Sequence, residues 1–276
     1  MTTLKKILDR YDARPLKRYG QSFLVDKNIM SRIVESADIG PGDRVVEIGP
    51  GVGLMTGILA DRVKEVIAVE IDRRMVEILQ DEMAGRTNVT IVNRDILAYD
   101  FSAAVSSSGE KVHVVGNIPY NISSQILFRM IDFRRYIEAA VLMFQRELAE
   151  RILAGPGSPR YGSISVMTAM YLDSDRVINV SPRCFFPKPK VESIVLKLTA
   201  REGPIFEVKD EDVFKKVVRA GFSKRRKTLF NSLASNPFIE LERERIADAL
   251  EKAKIDPGRR AETLSVKEFA LLSNAL

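Results

Sequence analysis

From Arg44 to about Leu198, short apolar runs alternate with stretches whose apolar residues recur at helical spacing. RVVEIG, EVIAVEI, VTIVN, VHVVGNI, AAVLMF and SIVLKL are rich in Val and Ile and predict strands. DRRMVEILQDEMA places Met75, Ile78, Leu79 and Met83 on one face and predicts a helix. SSQILFRMIDF and QRELAERILAG predict two more, the second closing at Gly155 before Pro156. Strands that alternate with helices build a mostly parallel, doubly wound α/β sheet. SIVLKL comes last and is the candidate for an antiparallel partner.

After Ala200 the pattern changes. REGPIF, with Gly203 and Pro204, reads as a boundary. Beyond Asp210 the periodicity is helical only: DEDVFKKVVRAGFS, RRKTLFNSLAS, ERERIADALEKA and SVKEFALLSNAL. The third stretch ends near Pro257, and Thr263 or Ser265 is placed to cap the fourth. The expected organisation is an α/β domain over residues 1–200 and a small all-α domain over 201–276.

Composition narrows the chemistry. Apolar residues make up 45% of the 276, an ordinary globular mix, and no apolar run is long enough to cross a membrane. The N-terminal stretch lacks the apolar core of a signal peptide, and Asp9 and Asp12 argue against a presequence, so a cytoplasmic location is expected. With one cysteine, Cys184, neither an intrachain disulfide nor a multi-cysteine metal site is expected. The single histidine, His113, sits in an apolar run and reads as structural rather than catalytic. The net charge of +6 gains meaning from its placement. Lys5, Lys6, Arg10, Arg14, Lys17 and Arg18 gather near the start, and SKRRK brings Lys224, Arg225, Arg226 and Lys227 together. Two basic clusters flanking one α/β domain point to nucleic acid.

VVEIGPGVGLMT carries a strand into a turn with Gly49, Gly51 and Gly53, where backbone can approach a ligand closely. The dinucleotide fingerprint needs G-x-G-x-x-G, and Leu54 stands where its third glycine belongs, so a nicotinamide cofactor is disfavoured. The arrangement is similar to the E-x-G-x-G-x-G signature of S-adenosylmethionine-dependent methyltransferases. About twenty residues on, VIAVEID ends a strand at Glu70, beside Ile71, where a carboxylate can accept both ribose hydroxyls. NRDI ends the next strand, with Asp95 placed to accept from an adenine amine and Ile96 to lie against the ring.

The fourth strand ends in NIPY, Asn117 to Tyr120, which resembles the [N/D]-P-P-[Y/F] pattern of amino-methyltransferases and implies an adenine amine as target. An adenine amine is a poor nucleophile because its lone pair is delocalised into the ring. The Asn117 carboxamide oxygen and a backbone carbonyl near Pro119 can accept its two N–H bonds and aim the lone pair at a methyl donor. Pro119 stiffens the backbone, and Tyr120 offers a face for the base. Such a transfer depends on orientation more than on acid–base work, so it needs no catalytic histidine.

Taken in order, RYGQSFLVD, VEIGPGVGLMT, VEID, NRDI, GNIPYNIS, CFFPKPKVES, GFSKRRKTLFNSL and RRAETLSVKEFALL resemble the motifs of the KsgA/RsmA family of small-subunit ribosomal RNA adenine dimethyltransferases. The likeness covers nearly the whole chain. It implies a Rossmann-like S-adenosylmethionine-dependent methyltransferase domain and a helical C-terminal domain that binds rRNA. It implies cofactor contacts from Gln21, Ser22 and Leu24, with Ser22 where the family has Asn, and it makes Phe185 the second ring for the target adenine, opposite Tyr120. Phe186 then reads as a core aromatic. The implied reaction is N6,N6-dimethylation of two adjacent adenines in a hairpin loop near the 3′ end of 16S rRNA, late in small-subunit assembly. The implied partner is rRNA within an immature 30S-type particle, met by a monomer, with no metal and no membrane involved.

Three rivals remain at this point. An erythromycin-resistance methylase shares the catalytic motifs but modifies large-subunit rRNA; RRKTLFNSL and RRAETLS favour the small-subunit enzyme. A non-catalytic assembly or transcription factor on the same fold would show decay in the glycine turn or NIPY, and both are intact. A DNA adenine methylase would carry a target-recognition insert, which the chain lacks.

Overall fold

The computed structural model describes residues 3–16, 19–105, 109–224, 226–236, 239 and 241–276. The chain divides into two compact units, Met1–Ala149 with Ser174–Ala200, and Glu150–Asp173 with Arg201–Leu276. The elements in order are α1 (Thr3–Arg10), β1 (Phe23–Leu24), α2 (Lys27–Ser36), β2 (Arg44–Ile48), α3 (Leu54–Ala60), β3 (Glu65–Glu70), α4 (Arg73–Glu82) and β4 (Val89–Asn93). Then come β5 (Val112–Asn117), α5 (Ser123–Asp132), β6 (Ile137–Gln145), α6 (Arg146–Ile152), α7 (Ser163–Tyr171), β7 (Leu172–Val180), β8 (Phe185–Phe186) and β9 (Ser193–Ala200). The helices α8 (Glu211–Gly221), α9 (Leu229–Ala234), α10 (Arg243–Lys252) and α11 (Val266–Ala275) complete the chain.

A seven-stranded sheet runs in the order β4-β3-β2-β5-β6-β9-β7. β4, β3, β2, β5 and β6 pair in parallel, and β9 returns antiparallel against β6. The Val- and Ile-rich runs form its centre because parallel strands are covered on both faces; Val45, Val46, Val114 and Val115 are fully buried. The chain winds outward from β2 through β3 to β4, then crosses back to β5 on the other side of β2. That reversal opens a crevice at the carboxyl ends of β2 and β5, where doubly wound sheets bind ligands. Acidic caps start the flanking helices: Asp26 accepts from two backbone amides of α2, and Asp72 from one of α4. Met75, Ile78 and Leu79 are buried on α4, and Met83 is half-buried just past its end.

In the second unit, Ser265 caps α11 in a reciprocal pair with Glu268, each satisfying a backbone amide of the other. The unit does not begin at residue 201, where the sequence places the boundary. Glu150–Asp173 belongs to it as well. The reason lies in α7, whose residues are buried around nearly its whole circumference. The Tyr171 ring meets Phe214 edge-on, and Arg201 N and Ile205 N donate to the Tyr171 and Met170 carbonyls.

Candidate active site

The glycine turn, Glu70, Asp95 and NIPY all line one cavity of about 330 Å³, within the usual range for a small-molecule site. The turn after β2 needs its glycines. Gly49 and Gly51 have φ of +66° and +58°, and a Cβ on Gly51 would lie 2.6 Å from Phe23 Cε1. Gly51 N donates to Glu70 Oε2 at 3.2 Å and Asp72 N to Oε1 at 2.9 Å, so both carboxylate oxygens are aimed and each retains acceptor capacity. Burial pushes the Glu70 carboxyl up, and these backbone donors oppose the shift. Just past β4, Asp95 lines the cavity and its Oδ1 accepts from Leu97 N at 2.9 Å, while Ile96 is a buried wall. Ile71 supplies an exposed rim. A cradle bare of side chains at Gly49 and Gly51, an aimed carboxylate and a further acid beside an apolar wall fit a nucleoside carrying a compact charged tail. S-adenosylmethionine is such a molecule.

On the other side of the crevice, Asn117 Nδ2 donates to Ser22 O at 2.8 Å, so the carboxamide turns its Oδ1 away from that partner. The Pro119 carbonyl is occupied by Ser123 Oγ and Ile122 N as the chain enters α5. The open carbonyl next to Pro119 is that of Ile118, which accepts no hydrogen bond from the described residues. The proline ring confines Ile118 to extended backbone and so fixes where this carbonyl points. The Tyr120 hydroxyl and Ser193 Oγ lie 2.6 Å apart, with Ser193 fully buried, and this bond sets the plane of a ring that lines the cavity.

Several residues expected in the site have other work. Gln21 lines the cavity, yet its Oε1 accepts from Leu16 N at 2.7 Å and its Nε2 donates to Asp72 Oδ2 at 2.8 Å. Ser22 lines the cavity too, and its Oγ donates to Pro187 O at 2.8 Å. Leu24 is turned into the core, against a small cavity of about 40 Å³ beneath the glycine turn. Phe185, expected to face Tyr120, is packed in that core at 4% exposure, whereas Phe186, expected in the core, is 45% exposed. The cause is pairing: β1 and β8 form an antiparallel ribbon with Leu24 opposite Phe185, and this pair faces inward. Of the basic residues, Lys17, Arg18 and Arg225 lie outside the described residues; Lys224, Arg226 and Lys227 are exposed, with Lys224 Nζ donating to Ser235 Oγ at 3.1 Å. His113 is half-buried in β5, and burial draws its imidazole pKa down.

Glu47, the acid that opens the E-x-G-x-G-x-G signature and is given no role of its own by the sequence, is buried. It sits on β2, joined to Thr56 Oγ1 by a 2.6 Å hydrogen bond, and burial pushes its pKa up to about 8. Its signal was visible as an acid inside the apolar run RVVEI. Phe23, Arg94 and Asn121 also line the main cavity without having been expected there.

Known proteins match this chain along its length. It is 46% identical over 269 residues to ribosomal RNA small subunit methyltransferase A of Moorella thermoacetica, covering 95% of this chain and 92% of that one. To the protein of the same name from Syntrophus aciditrophicus it is 42% identical, covering 100% and 99%. Among solved structures, a dimethyladenosine transferase from Plasmodium falciparum superposes with a TM-score of 0.77 at 28% identity, over 90% of this chain and 94% of that one. The 23S rRNA methyltransferase ErmE superposes with a TM-score of 0.68 at 30% identity, over 92% and 99%. The family model for ribosomal RNA adenine dimethylase matches residues 14–276, and the chain belongs to that family.

Proposed function

We propose that this protein uses S-adenosylmethionine to dimethylate the N6 amines of two adjacent adenines in a hairpin loop near the 3′ end of 16S rRNA. The observation that carries this reading is the pairing of Asn117 Oδ1 with the Ile118 carbonyl at the end of β5, across the crevice from Glu70 and Asp95. Glu70 accepts the ribose hydroxyls, Asp95 accepts from the cofactor's adenine amine, and Ile71 and Ile96 hold that ring. When bound, S-adenosylmethionine supplies the electrophile, a methyl group on a sulfonium sulfur.

The target base leaves its stack and lies against Tyr120, whose ring is steadied by Ser193. Asn117 Oδ1 and Ile118 O take one N–H each. The amine nitrogen is drawn toward tetrahedral geometry with its lone pair facing the methyl carbon. The N–C bond forms as the C–S bond breaks, and the methylated nitrogen then loses a proton to water. No strong base is called for, and positioning carries the catalysis.

Relatives at 42% and 46% identity bear a small-subunit name, which favours small-subunit RNA over the large-subunit target of ErmE at 30%. The exposed Lys224, Arg226 and Lys227, with Lys17, Arg18 and Arg225, are assigned to the RNA backbone. We assign the substrate to an immature 30S-type particle in the cytoplasm, acted on by a monomer. The test is tritium transfer from labelled S-adenosylmethionine to small subunits lacking the modification, with large subunits and naked rRNA in parallel. Label recovered as N6,N6-dimethyladenosine from small subunits supports the reading. Label on large-subunit RNA transfers it to the resistance methylase, and no label with cofactor still bound leaves an assembly factor.

A further inference from the structure

The β1–β8 ribbon presents two unlike faces. Residues opposite one another in an antiparallel pair point the same way, and neighbours along a strand point opposite ways. Leu24 and Phe185 face the core; Phe23 and Phe186, the other opposed pair, therefore share the opposite face, on which Phe23 is packed against a second apolar cluster that includes Ile7 and Met75 and Phe186 is exposed. Phe23 reaches the main cavity, while Phe186 stays outside it with 45% of its surface exposed.

The ribbon also ends at the reaction centre. Pro187, next to Phe186, accepts from Ser22 Oγ, and the Ser22 carbonyl is the partner of Asn117. Within four residues of Phe186 along the chain are Arg183, Lys188 and Lys190, all exposed and none in an ion pair among the described residues. Glu192, the acid on this loop, is matched by Arg146 at 2.7 Å. An open aromatic face set among uncompensated cations beside a catalytic carboxamide has the makeup of a platform for single-stranded nucleic acid.

We propose that the loop of residues 183–191 is an RNA-docking surface in which Phe186 stacks on the unpaired base next to the target adenine and Lys188 and Lys190 hold the adjoining phosphates. The inference rests on the methyltransferase reading above and adds to it the path of the strand outside the pocket. Tyr120 serves the base inside the cavity, and Phe186 serves its neighbour. Because Phe186 is exposed, its removal leaves the fold intact, whereas Phe185 is a core residue.

The test is steady-state methyl transfer to small subunits by the wild type, Phe186→Ala, Phe186→Trp and the double variant Lys188→Ala/Lys190→Ala. Thermal melts and cofactor calorimetry are run on each. The expected result for Phe186→Ala is a rise in KM for RNA of about 5-fold to 100-fold, the usual loss for one stacked base. Cofactor affinity and Tm stay at wild-type values, and Phe186→Trp restores KM. The lysine variant flattens the salt dependence of RNA affinity by a log–log slope of roughly 1 to 2. An unchanged KM in Phe186→Ala, or no rescue by Trp, overturns the proposal while leaving the reaction standing. Wild-type protein that labels no RNA overturns the methyltransferase reading, and this inference with it.

Discussion

Asn117 Nδ2 donates to the Ser22 carbonyl over 2.8 Å, so the side-chain amide at the end of β5 is oriented by the residue that precedes β1. The amide must therefore offer a donor on one side and an acceptor on the other. Asn117→Ala is expected to lower kcat on the order of 10²-fold or more, with the cofactor dissociation constant near wild type. Asn117→Asp keeps an acceptor but sets a carboxylate against the Ser22 carbonyl, and it is expected to fail as well. Turnover close to wild type in either variant would remove Asn117 from the mechanism.

Glu70 is tied to the glycine turn through Gly51 N, and its proposed partner is the cofactor ribose. Glu70→Ala removes an acceptor whose hydrogen bonds carry about 1.5–3 kcal/mol each when charged. The cofactor dissociation constant is expected to rise about 10-fold to 100-fold by calorimetry. The variant also frees Gly51 N and Asp72 N, so its Tm falls even without cofactor.

Glu47 makes stability fall with pH. Its folded pKa of about 8 stands above the ordinary 4.5, so between these values the folded chain holds a proton that the unfolded chain releases. The contribution is complete below 4.5 and is lost as pH climbs through about 8. Glu47→Gln is uncharged throughout and keeps the contact with Thr56. Wild-type Tm is expected to drop relative to this variant across that window. Parallel Tm curves would show that the buried carboxyl does not titrate there.

Tyr120 and Ser193 act through one bond. Tyr120→Phe keeps the ring and Ser193→Ala keeps the backbone, and each is expected to raise KM for RNA about 2-fold to 10-fold, the net worth of a single hydrogen bond. Once that bond is gone the second change adds little, so the double variant should resemble either single one. Additive losses in this cycle would separate the two roles.

What the sequence discloses follows from the range of the forces involved. Strand ends, the glycine turn, the acid at Glu70 and the cap at Ser265 are local patterns, and each is where local chemistry places it. The identity of the inward phenylalanine is not local. Phe185 and Phe186 are adjacent and alike, and only pairing with Phe23 and Leu24, far away in the chain, decides which one turns to the core. The hydrogen bonds of Gln21 are hidden for the same reason, because its partners Leu16 and Asp72 become neighbours only on folding. α7 escapes a periodicity search because a helix covered all round has no polar face to mark its turns. β7 escapes because LDSDRVINV is polar over much of its length.

On the proposed reading Asn117 Oδ1 and the Ile118 carbonyl each take one N–H of a primary amine, and that has a consequence for a reaction run twice on one atom. After the first methyl is added, the nitrogen keeps a single N–H, and either Asn117 Oδ1 or the Ile118 carbonyl goes without a partner. The second round starts from a looser grip than the first. The monomethylated base is then the point at which product escapes whenever the donor runs short, and the ratio of mono- to dimethyladenosine becomes a gauge of how fully the enzyme is supplied.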